Sequence, residues 1–259
     1  MKKTILVLTM IFATTLISNA KIVSKAVDYK DGNTQLQGWL YYDDGIKSPK
    51  PAVIVVHEWW GLNDYPKMRA QQLAELGYIA FAADIYGKGV VKTSFDEAGA
   101  EAGKYKSNIP LLRSRINSAL ETLKKQPNVD KNKIAAIGYC FGGGTVLELA
   151  RSGADIKGVV SFHGNLGTPN PADAKNIKGK VLICHGGDDK FVSNEEFLGF
   201  ENEMRNAKVD WQMNIYGNSV HGFTNPANGS DNSTGLAYNE KADKRSFEAM
   251  KQFLNEIFK

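Results

Sequence analysis

Cysteine is scarce in this sequence, with Cys140 and Cys184 the only two among 259 residues. They do not form a Cys-Xaa-Xaa-Cys pair, so a thiol redox protein built on that motif is not expected. Each lies at or near the end of an apolar, strand-like run, and one lies in a nucleophile motif. We therefore expect no disulfide between them, although a disulfide is the usual state of a cysteine pair in an exported protein. An exported protein that keeps a reactive thiol needs a chemical reason for it.

Long apolar runs are also rare, and one lies at the N-terminus. Lys2 and Lys3 precede the mostly apolar residues 5–17, and Ser18-Asn19-Ala20 ends in a small residue. This pattern predicts a signal peptide over residues 1–20 and export, to the periplasm or as a secreted protein. The run is too short to span a bilayer comfortably, so we expect no membrane span in the mature chain. No cysteine lies near the cleavage site, which argues against a lipid anchor.

Charge of one sign is not concentrated anywhere. The formal net charge of +4 includes the two lysines of the predicted signal peptide, and the basic residues are scattered. We therefore expect no nucleic-acid partner. The composition, 42% hydrophobic and 23% charged, is that of an ordinary globular protein. The length fits one domain over residues 21–259, with a core large enough to need no disulfide.

Strand patterns alternate with helix patterns along this domain. Asp31-Gly32-Asn33 separates two alternating segments and predicts a hairpin. The predicted strands are residues 24–30, 34–42, 52–57, 78–84, 133–139, 156–163, 180–185 and 209–216. The predicted helices are residues 65–76, 109–125, 141–151, one that begins after Ser193, and 239–258. The alternation predicts an α/β fold, a mostly parallel central sheet with helices on both faces and ligands at the carboxyl ends of its strands. Residues 87–108, 164–178 and 217–238 are predicted to be long loops that wall a pocket.

One cysteine follows the strand 133–139, in Gly138-Tyr139-Cys140-Phe141-Gly142. A strand, then Gly-Xaa-Cys-Xaa-Gly, then a helix is the nucleophile-elbow pattern with cysteine in the serine position. The glycines leave room for a strained turn that points the sulfur out of the top of the sheet. The helix N-terminus favours a thiolate, and the Phe141 N–H would face a developing oxyanion. A glycine-rich turn with a buried cysteine is the alternative, and the position between strand and helix favours the elbow.

A nucleophilic cysteine needs a base, and the base needs an orienting acid. In elbow enzymes the chain order is nucleophile, acid, histidine, which selects His221 as the base. Asp188 and Asp189, in the loop after strand 180–185, compete for the role of the acid. The other three histidines each end a predicted strand: His57, His163 and His185. We expect the last two to be structural.

Four segments in chain order resemble the dienelactone hydrolase family of α/β-hydrolases. They are the cysteine motif at 138–143, the acid loop at 186–192, His221-Gly222-Phe223, and His57-Glu58-Trp59-Trp60-Gly61. The similarity covers about residues 24–258. It implies the α/β-hydrolase fold, Asp189 as the acid, and a carboxylic ester hydrolase of the carboxymethylenebutenolidase type.

The resemblance also implies roles for the segment after the third strand. In the family, a glutamate at the position of Glu58 contacts the resting thiol and helps to deprotonate it once substrate binds. A carboxylate beside a thiol can hold it neutral, and a neutral thiol oxidises slowly. A solvated loop carboxylate is the alternative for Glu58. The N–H of Trp59 would be the second oxyanion donor.

The family's two carboxylate-binding arginines are not reproduced here. One position is Asn225, and the other falls near Lys88. Because lysine does not hold a carboxylate in the bidentate manner of arginine, we expect a substrate other than dienelactone. Five aromatic residues are expected to form the substrate pocket, or else to pack beneath the loops: Trp59, Trp60, Tyr86, Phe141 and Phe223.

Together these patterns predict a cysteine-dependent hydrolase of small esters or lactones. Cys140 would form a thioester intermediate, with His221 as the base and Asp189 as its orienting acid. The chemistry needs neither a metal nor an organic cofactor, the partner is a small molecule, and we expect a monomer. A broader acyl hydrolase or peptidase on the same fold, and a non-catalytic binding protein that retains the fold, are the alternatives.

Overall fold

The computed structural model describes residues 21–259, so the predicted signal peptide lies outside the described residues. Its centre is an eight-stranded sheet in the order β1-β2-β4-β3-β5-β6-β7-β8. The strands are β1 Ile22–Asp31, β2 Thr34–Asp43, β3 Lys50–Val56, β4 Ile79–Ala83, β5 Val129–Tyr139, β6 Gly158–Phe162, β7 Lys180–Gly186 and β8 Trp211–Tyr216. β1 and β2 form the predicted hairpin, β2 is antiparallel to β4, and every other pairing is parallel.

Helices cover both faces of this sheet, as the alternating pattern predicts. They are α1 Asp64–Glu75, α2 Phe95–Lys106, α3 Ile109–Lys124, α4 Phe141–Arg151, α5 Asn194–Ala207 and α6 Glu240–Ile257. Buried residues of α2, α3, α4 and α5 pack on one face, and those of α1 and α6 pack on the other. The α/β fold class is therefore confirmed. Within residues 21–259, none of the helices combines the length and apolar character needed to cross a bilayer.

Two helix N-termini carry polar caps. The Asn63 side chain accepts a hydrogen bond from the second residue of α1, which makes it the cap of that helix. Ser193 caps α5 by accepting the amide of Glu196 at 3.1 Å. The Glu196 carboxylate, however, accepts the amides of Leu166 and Gly167, at 2.6 and 2.9 Å. It thereby ties the loop after β6 to α5, at the end of the sheet where β6 and β7 end.

Residues 87–108 were predicted to be a loop, and that prediction is wrong because they contain α2. This helix has two glycines and few large apolar residues, so its local preference for helix is weak. Its buried residues are Ala98, Glu101, Ala102 and Tyr105, and of these Ala102 and Tyr105 belong to the hydrophobic core. Tertiary packing therefore stabilises a helix that the local sequence signals only faintly. The other two long connections contain short 3₁₀ turns, at Pro171–Asn176, Pro226–Asn228 and Asn232–Thr234.

Candidate active site

The carboxyl ends of five neighbouring strands bring the polar candidates to one edge of the sheet. Glu58 follows β3, Cys140 follows β5, and His163 follows β6. Asp189 follows β7 and His221 follows β8. Because parallel strands all end at the same edge, residues that are far apart in the sequence meet there.

The nucleophile motif folds as a tight turn between β5 and α4. Cys140 has φ 53° and ψ −116°, a conformation that costs energy for any residue other than glycine. A Cβ atom on Gly138 would lie 2.0 Å from the Gly142 carbonyl oxygen, and one on Gly142 would lie 2.4 Å from the Val56 carbonyl oxygen. Both glycines are therefore required by close backbone contacts. The turn leaves Cys140 partly exposed to solvent at the end of the sheet.

Trp59 and Phe141, the two predicted oxyanion donors, lie on backbone segments that Tyr86 connects. Phe141 is the first residue of α4, and the first amides of a helix have no acceptor within it. Trp59 lies in the turn after β3, where its carbonyl oxygen accepts the Tyr86 hydroxyl at 3.1 Å. The Tyr86 ring packs against Phe141, with the ring centroids 5.3 Å apart. Tyr86 thus joins the two backbone segments that were predicted to supply the donors.

His221 and Asp189, the predicted base and acid, are hydrogen-bonded to each other. The His221 Nδ1 lies 2.8 Å from Asp189 Oδ2, and Asp189 Oδ1 also accepts the amide of Phe191 at 2.9 Å. Asp188 is exposed to solvent, so the choice left open between the two aspartates falls to Asp189. Burial alone would lower the pKa of His221, but negative charge at Cys140 and the hydrogen bond with Asp189 raise it to about 10.

Glu58 is buried in this cluster and is held by Asn225. The Asn225 side-chain amide donates to Glu58 Oε2 at 2.7 Å. Burial raises the pKa of Glu58 to about 7, against the opposing effects of Asn225 and of positive charge on His221 and Arg69. Among residues 21–259, the Glu58 carboxylate makes no hydrogen bond with the Cys140 thiol. The prediction that Glu58 guards the thiol therefore remains a prediction.

Aromatic side chains flank the cluster on two sides. Trp60 packs on Trp59 and on Phe95 of α2, with centroid distances of 5.1 and 5.4 Å. On the other side, Phe191 packs edge-on against His221 at 5.2 Å. Phe95 and Phe191 are 61% and 56% exposed, so both present apolar surface to solvent. Neither residue was predicted from the sequence as part of the site. Phe95 lies in α2, a helix that the sequence pattern did not predict, and Phe191 lies in the acid loop at 186–192.

The structure does not bring two of the predicted substrate-binding residues to this surface. Phe223 is completely buried, between His163 and Tyr216, and so supports the site from below. Lys88 forms an ion pair with Asp28 at 3.0 Å, and both of these side chains are about half exposed. The Lys88 backbone is bonded to the start of β2 rather than to the loops around Cys140. Lys88 was predicted from its spacing and Phe223 from its aromatic character beside His221, and neither feature reports which way a side chain faces.

Two further histidines lie among the buried groups. His57 donates from Nδ1 to the Glu58 carbonyl oxygen and accepts the Ile85 amide at Nε2, and burial lowers its pKa. His163 accepts the Cys140 amide at Nδ1, 3.2 Å away. In each of these two rings, one nitrogen is a donor and the other is an acceptor. Neither is placed as a partner of Asp189.

Cys184, the second cysteine, is a buried residue of β7. It is unpaired, as Cys140 is, and burial raises the pKa of its thiol to about 12. It is therefore chemically inert, in contrast to Cys140 at the exposed turn. Within the part of the chain that the structure describes, no three His, Cys, Asp or Glu side chains are grouped to hold a metal ion.

The chain matches a known protein family. The model of the dienelactone hydrolase family matches residues 36–258. The chain belongs to the dienelactone hydrolase family. The predicted resemblance is therefore confirmed.

Solved structures and curated relatives agree with this family. The structure named m3DLH is 40% identical, with a TM-score of 0.89, and covers 92% of this chain and 99% of its own. A dienelactone hydrolase-like promiscuous phosphotriesterase, P91, from metagenomic libraries is 42% identical, with a TM-score of 0.87 and the same coverage. A putative carboxymethylenebutenolidase of Saccharolobus solfataricus is 26% identical over 85% of this chain and 98% of its own. This dienelactone hydrolase-like protein is thus a carboxylic ester hydrolase.

A more distant similarity concerns the fold alone. An acylaminoacyl peptidase of Pyrococcus horikoshii is 17% identical, with a TM-score of 0.71, and this chain matches 42% of its length. The shared fold explains why a peptidase was an alternative from sequence. It does not carry over the activity of that enzyme.

Proposed function

We propose that this protein hydrolyses small, uncharged esters or lactones through a Cys140–His221–Asp189 triad and a thioester intermediate. The observation that carries the proposal is the 2.8 Å hydrogen bond between His221 Nδ1 and Asp189, beside a cysteine held at φ 53° on the nucleophile turn. This bond commits Nδ1 of His221 to the acid and leaves Nε2 for the thiol.

The steps follow from these positions. The Cys140 sulfur attacks the ester carbonyl carbon while its proton is on His221, and the backbone amides of Trp59 and Phe141 hold the oxyanion. Collapse of the tetrahedral intermediate breaks the bond to the alkoxide, which takes the proton from His221. Water then attacks the thioester, His221 accepts a proton from it, and the acid leaves as Cys140 is regenerated.

The charge of the site supports an uncharged substrate. The residue that holds Glu58 is an amide, Asn225, and Lys88 is paired elsewhere with Asp28. A substrate carboxylate would thus approach the buried Glu58 without a cation presented by either position. Close approach of like charges in a buried site is costly, so anionic lactones should be poor substrates.

A neutral phosphotriester is the second candidate substrate, because it is also an uncharged electrophile. One relative of 42% identity is described as a promiscuous phosphotriesterase. The same thiol would attack phosphorus, expel the alkoxide or aryloxide with the proton from His221, and leave a phosphorylated cysteine for water to hydrolyse. The uncharged Asn225 is the observation that favours this candidate.

A substrate panel tests these proposals. Wild type, Cys140→Ala and the control Cys184→Ala are assayed on p-nitrophenyl butyrate, a neutral lactone, a carboxylate-bearing lactone, a neutral phosphotriester and a peptide p-nitroanilide. Wild type and Cys184→Ala should hydrolyse the neutral esters or lactones, and Cys140→Ala should not. Absence of any ester or lactone hydrolysis by wild type, or equal rates for Cys140→Ala, would contradict the triad. Preference for the carboxylate-bearing lactone would contradict the charge argument.

We also propose that the enzyme is exported, cleaved after Ala20, and monomeric. The N-terminal charge and apolar pattern supports export. N-terminal sequencing of the protein from the periplasm or medium should begin at Lys21. Size-exclusion chromatography with light scattering should give the mass of one chain, and a dimer mass would contradict the last point.

A further inference from the structure

A buried hydrogen-bond chain runs from the nucleophile turn to the loop that carries His221. The Cys140 amide donates to His163 Nδ1 at 3.2 Å, and His163 Nε2 lies 2.7 Å from Thr224 Oγ1. Thr224 Oγ1 in turn lies 2.6 Å from the Tyr65 hydroxyl of α1. His163 and Thr224 are both completely buried. None of these contacts is part of the proposed triad.

The direction of the hydrogen bonds is determined at His163. Because Nδ1 accepts the Cys140 amide, the ring proton must be on Nε2, which therefore donates to Thr224. The Cys140 amide also donates to the Phe162 carbonyl oxygen at 3.0 Å, so a protonated His163 would leave it that single acceptor. Burial, with positive charge at the neighbouring His221, lowers the pKa of His163 well below its usual value. The ring is thus a neutral link of fixed tautomer.

The far end of the chain is anchored by a buried arginine of α1. Arg69 donates to the Tyr65 hydroxyl at 3.2 Å and to the Thr224 carbonyl oxygen at 2.6 Å, and it forms an ion pair with Asp243 of α6. Thr224 is therefore held at both its side chain and its backbone. The titratable groups that act on His163 are His221 on its loop, Arg69 on α1 and His185 of β7.

The anchored Thr224 lies between two residues of the site in the same loop. It follows His221 by three residues and directly precedes Asn225, whose amide holds Glu58. Displacement of Thr224 would therefore move both the base and the carboxylate relative to Cys140. His163 has φ 40°, a strained conformation that surrounding contacts must maintain.

We propose that Thr224 and His163 are positioning residues that hold the nucleophile turn in register with His221 and Glu58. The proposal rests on the proposed function of this site. The substrate does not touch either residue. Their effect is to fix the geometry between the Cys140 sulfur and the His221 ring, on which proton transfer depends.

The test removes one hydroxyl group without changing shape. Thr224→Val is compared with Thr224→Ser, which keeps the hydroxyl, and with Tyr65→Phe, which removes the next group in the chain. Thr122→Val is the control, since Thr122 bonds to a carbonyl oxygen within α3 and lies on the other face of the sheet. For each variant, kcat, KM, the melting temperature and the iodoacetamide labelling rate of Cys140 against pH are measured.

The expected result is a loss in kcat rather than in binding. Thr224→Val should lower kcat about tenfold or more with KM within about twofold, because small displacements of reacting groups cost large factors in rate. Its labelling rate at pH 7 should fall about threefold or more, since a displaced His221 stabilises the thiolate less well. Thr224→Ser should restore both values, Tyr65→Phe should show a smaller loss of the same kind, and Thr122→Val should show neither.

Three outcomes would overturn the proposal. The first is a Thr224→Val variant with wild-type kcat and wild-type labelling of Cys140. The second is a loss of kcat in that variant that is no larger than its loss of folded protein. The third, if Thr224→Val does not fold, is an unchanged labelling profile in Tyr65→Phe. Labelling does not depend on ester hydrolysis. If wild type hydrolyses no ester, the proposed function fails, while the labelling profiles still decide whether Thr224 positions the site.

Discussion

Replacement of Glu58 by glutamine should stabilise the folded protein at high pH and leave its stability nearly unchanged at low pH. Glu58 is 4% exposed, and burial raises the pKa of its carboxyl from 4.5 to about 7. Glutamine keeps the shape and an oxygen that can accept the Asn225 amide at the position where Glu58 accepts it at 2.7 Å. It removes only the charge that the buried site disfavours.

The sign and size of the effect follow from proton linkage. Since folding raises this pKa, the folded protein binds more protons than the unfolded chain between pH 4.5 and about 7. The favourable contribution of Glu58 is fully present below pH 4.5 and is lost as the pH rises through about 7. At about 1.4 kcal/mol per pH unit, the loss is about 3 kcal/mol at pH 8. The glutamine variant does not suffer this loss.

Urea unfolding of wild type and Glu58→Gln at pH 5 and pH 8 measures the effect. The stability difference between the two proteins should be about 2.5 kcal/mol larger at pH 8 than at pH 5, because a small part of the loss has already occurred at pH 5. Glu75→Gln, at an exposed position of α1, is the control and should show no such dependence. Equal differences at both pH values would refute the assignment of a buried, disfavoured charge to Glu58. In the same variant, an unchanged iodoacetamide labelling rate of Cys140 across pH would remove Glu58 from the mechanism.

Three other substitutions test the acid Asp189, the turn that carries Cys140, and Lys88, which lies away from the site. Asp189→Asn removes the carboxylate that holds the histidine and should lower kcat by about 10²–10⁴-fold in ester assays, whereas a rate near wild type would contradict its role. Gly142→Ala should cost about 1–3 kcal/mol or more in urea unfolding, because its Cβ would lie 2.4 Å from a backbone oxygen of β3. By comparison, Gly103→Ala, with no atom within 4 Å inside α2, should add about 0.5–1 kcal/mol, and equal effects of the two would refute the packing argument. Lys88→Ala should leave kcat/KM for esters within about twofold of the wild-type value, because its ion-pair partner is an exposed aspartate. A tenfold loss would show that Lys88 does act in the site.

Local pattern was sufficient to predict much of the fold and to propose the residues of the triad. The buried strand before Cys140, the two flanking glycines and the helix after them form one continuous segment, so their relation is a property of neighbouring residues. The order of nucleophile, acid loop and His221 along the chain is likewise local information. Even α4, Phe141–Arg151, has the bounds that the sequence predicted.

Only the tertiary structure decided which side chains meet. Glu58 and Asn225 are 167 residues apart, and Tyr65 and Thr224 are 159 apart, so no periodicity links them. Burial separates Asp189 from the exposed Asp188, although the two are adjacent in sequence. The reason is that hydrogen bonds and burial depend on strands brought side by side, whereas composition and spacing report only the conformation of one segment. The sequence by itself predicted that Cys140 lies on a tight turn between a strand and a helix, and the structure decided that Asn225 holds Glu58 and that a buried Thr224 bonds to His163.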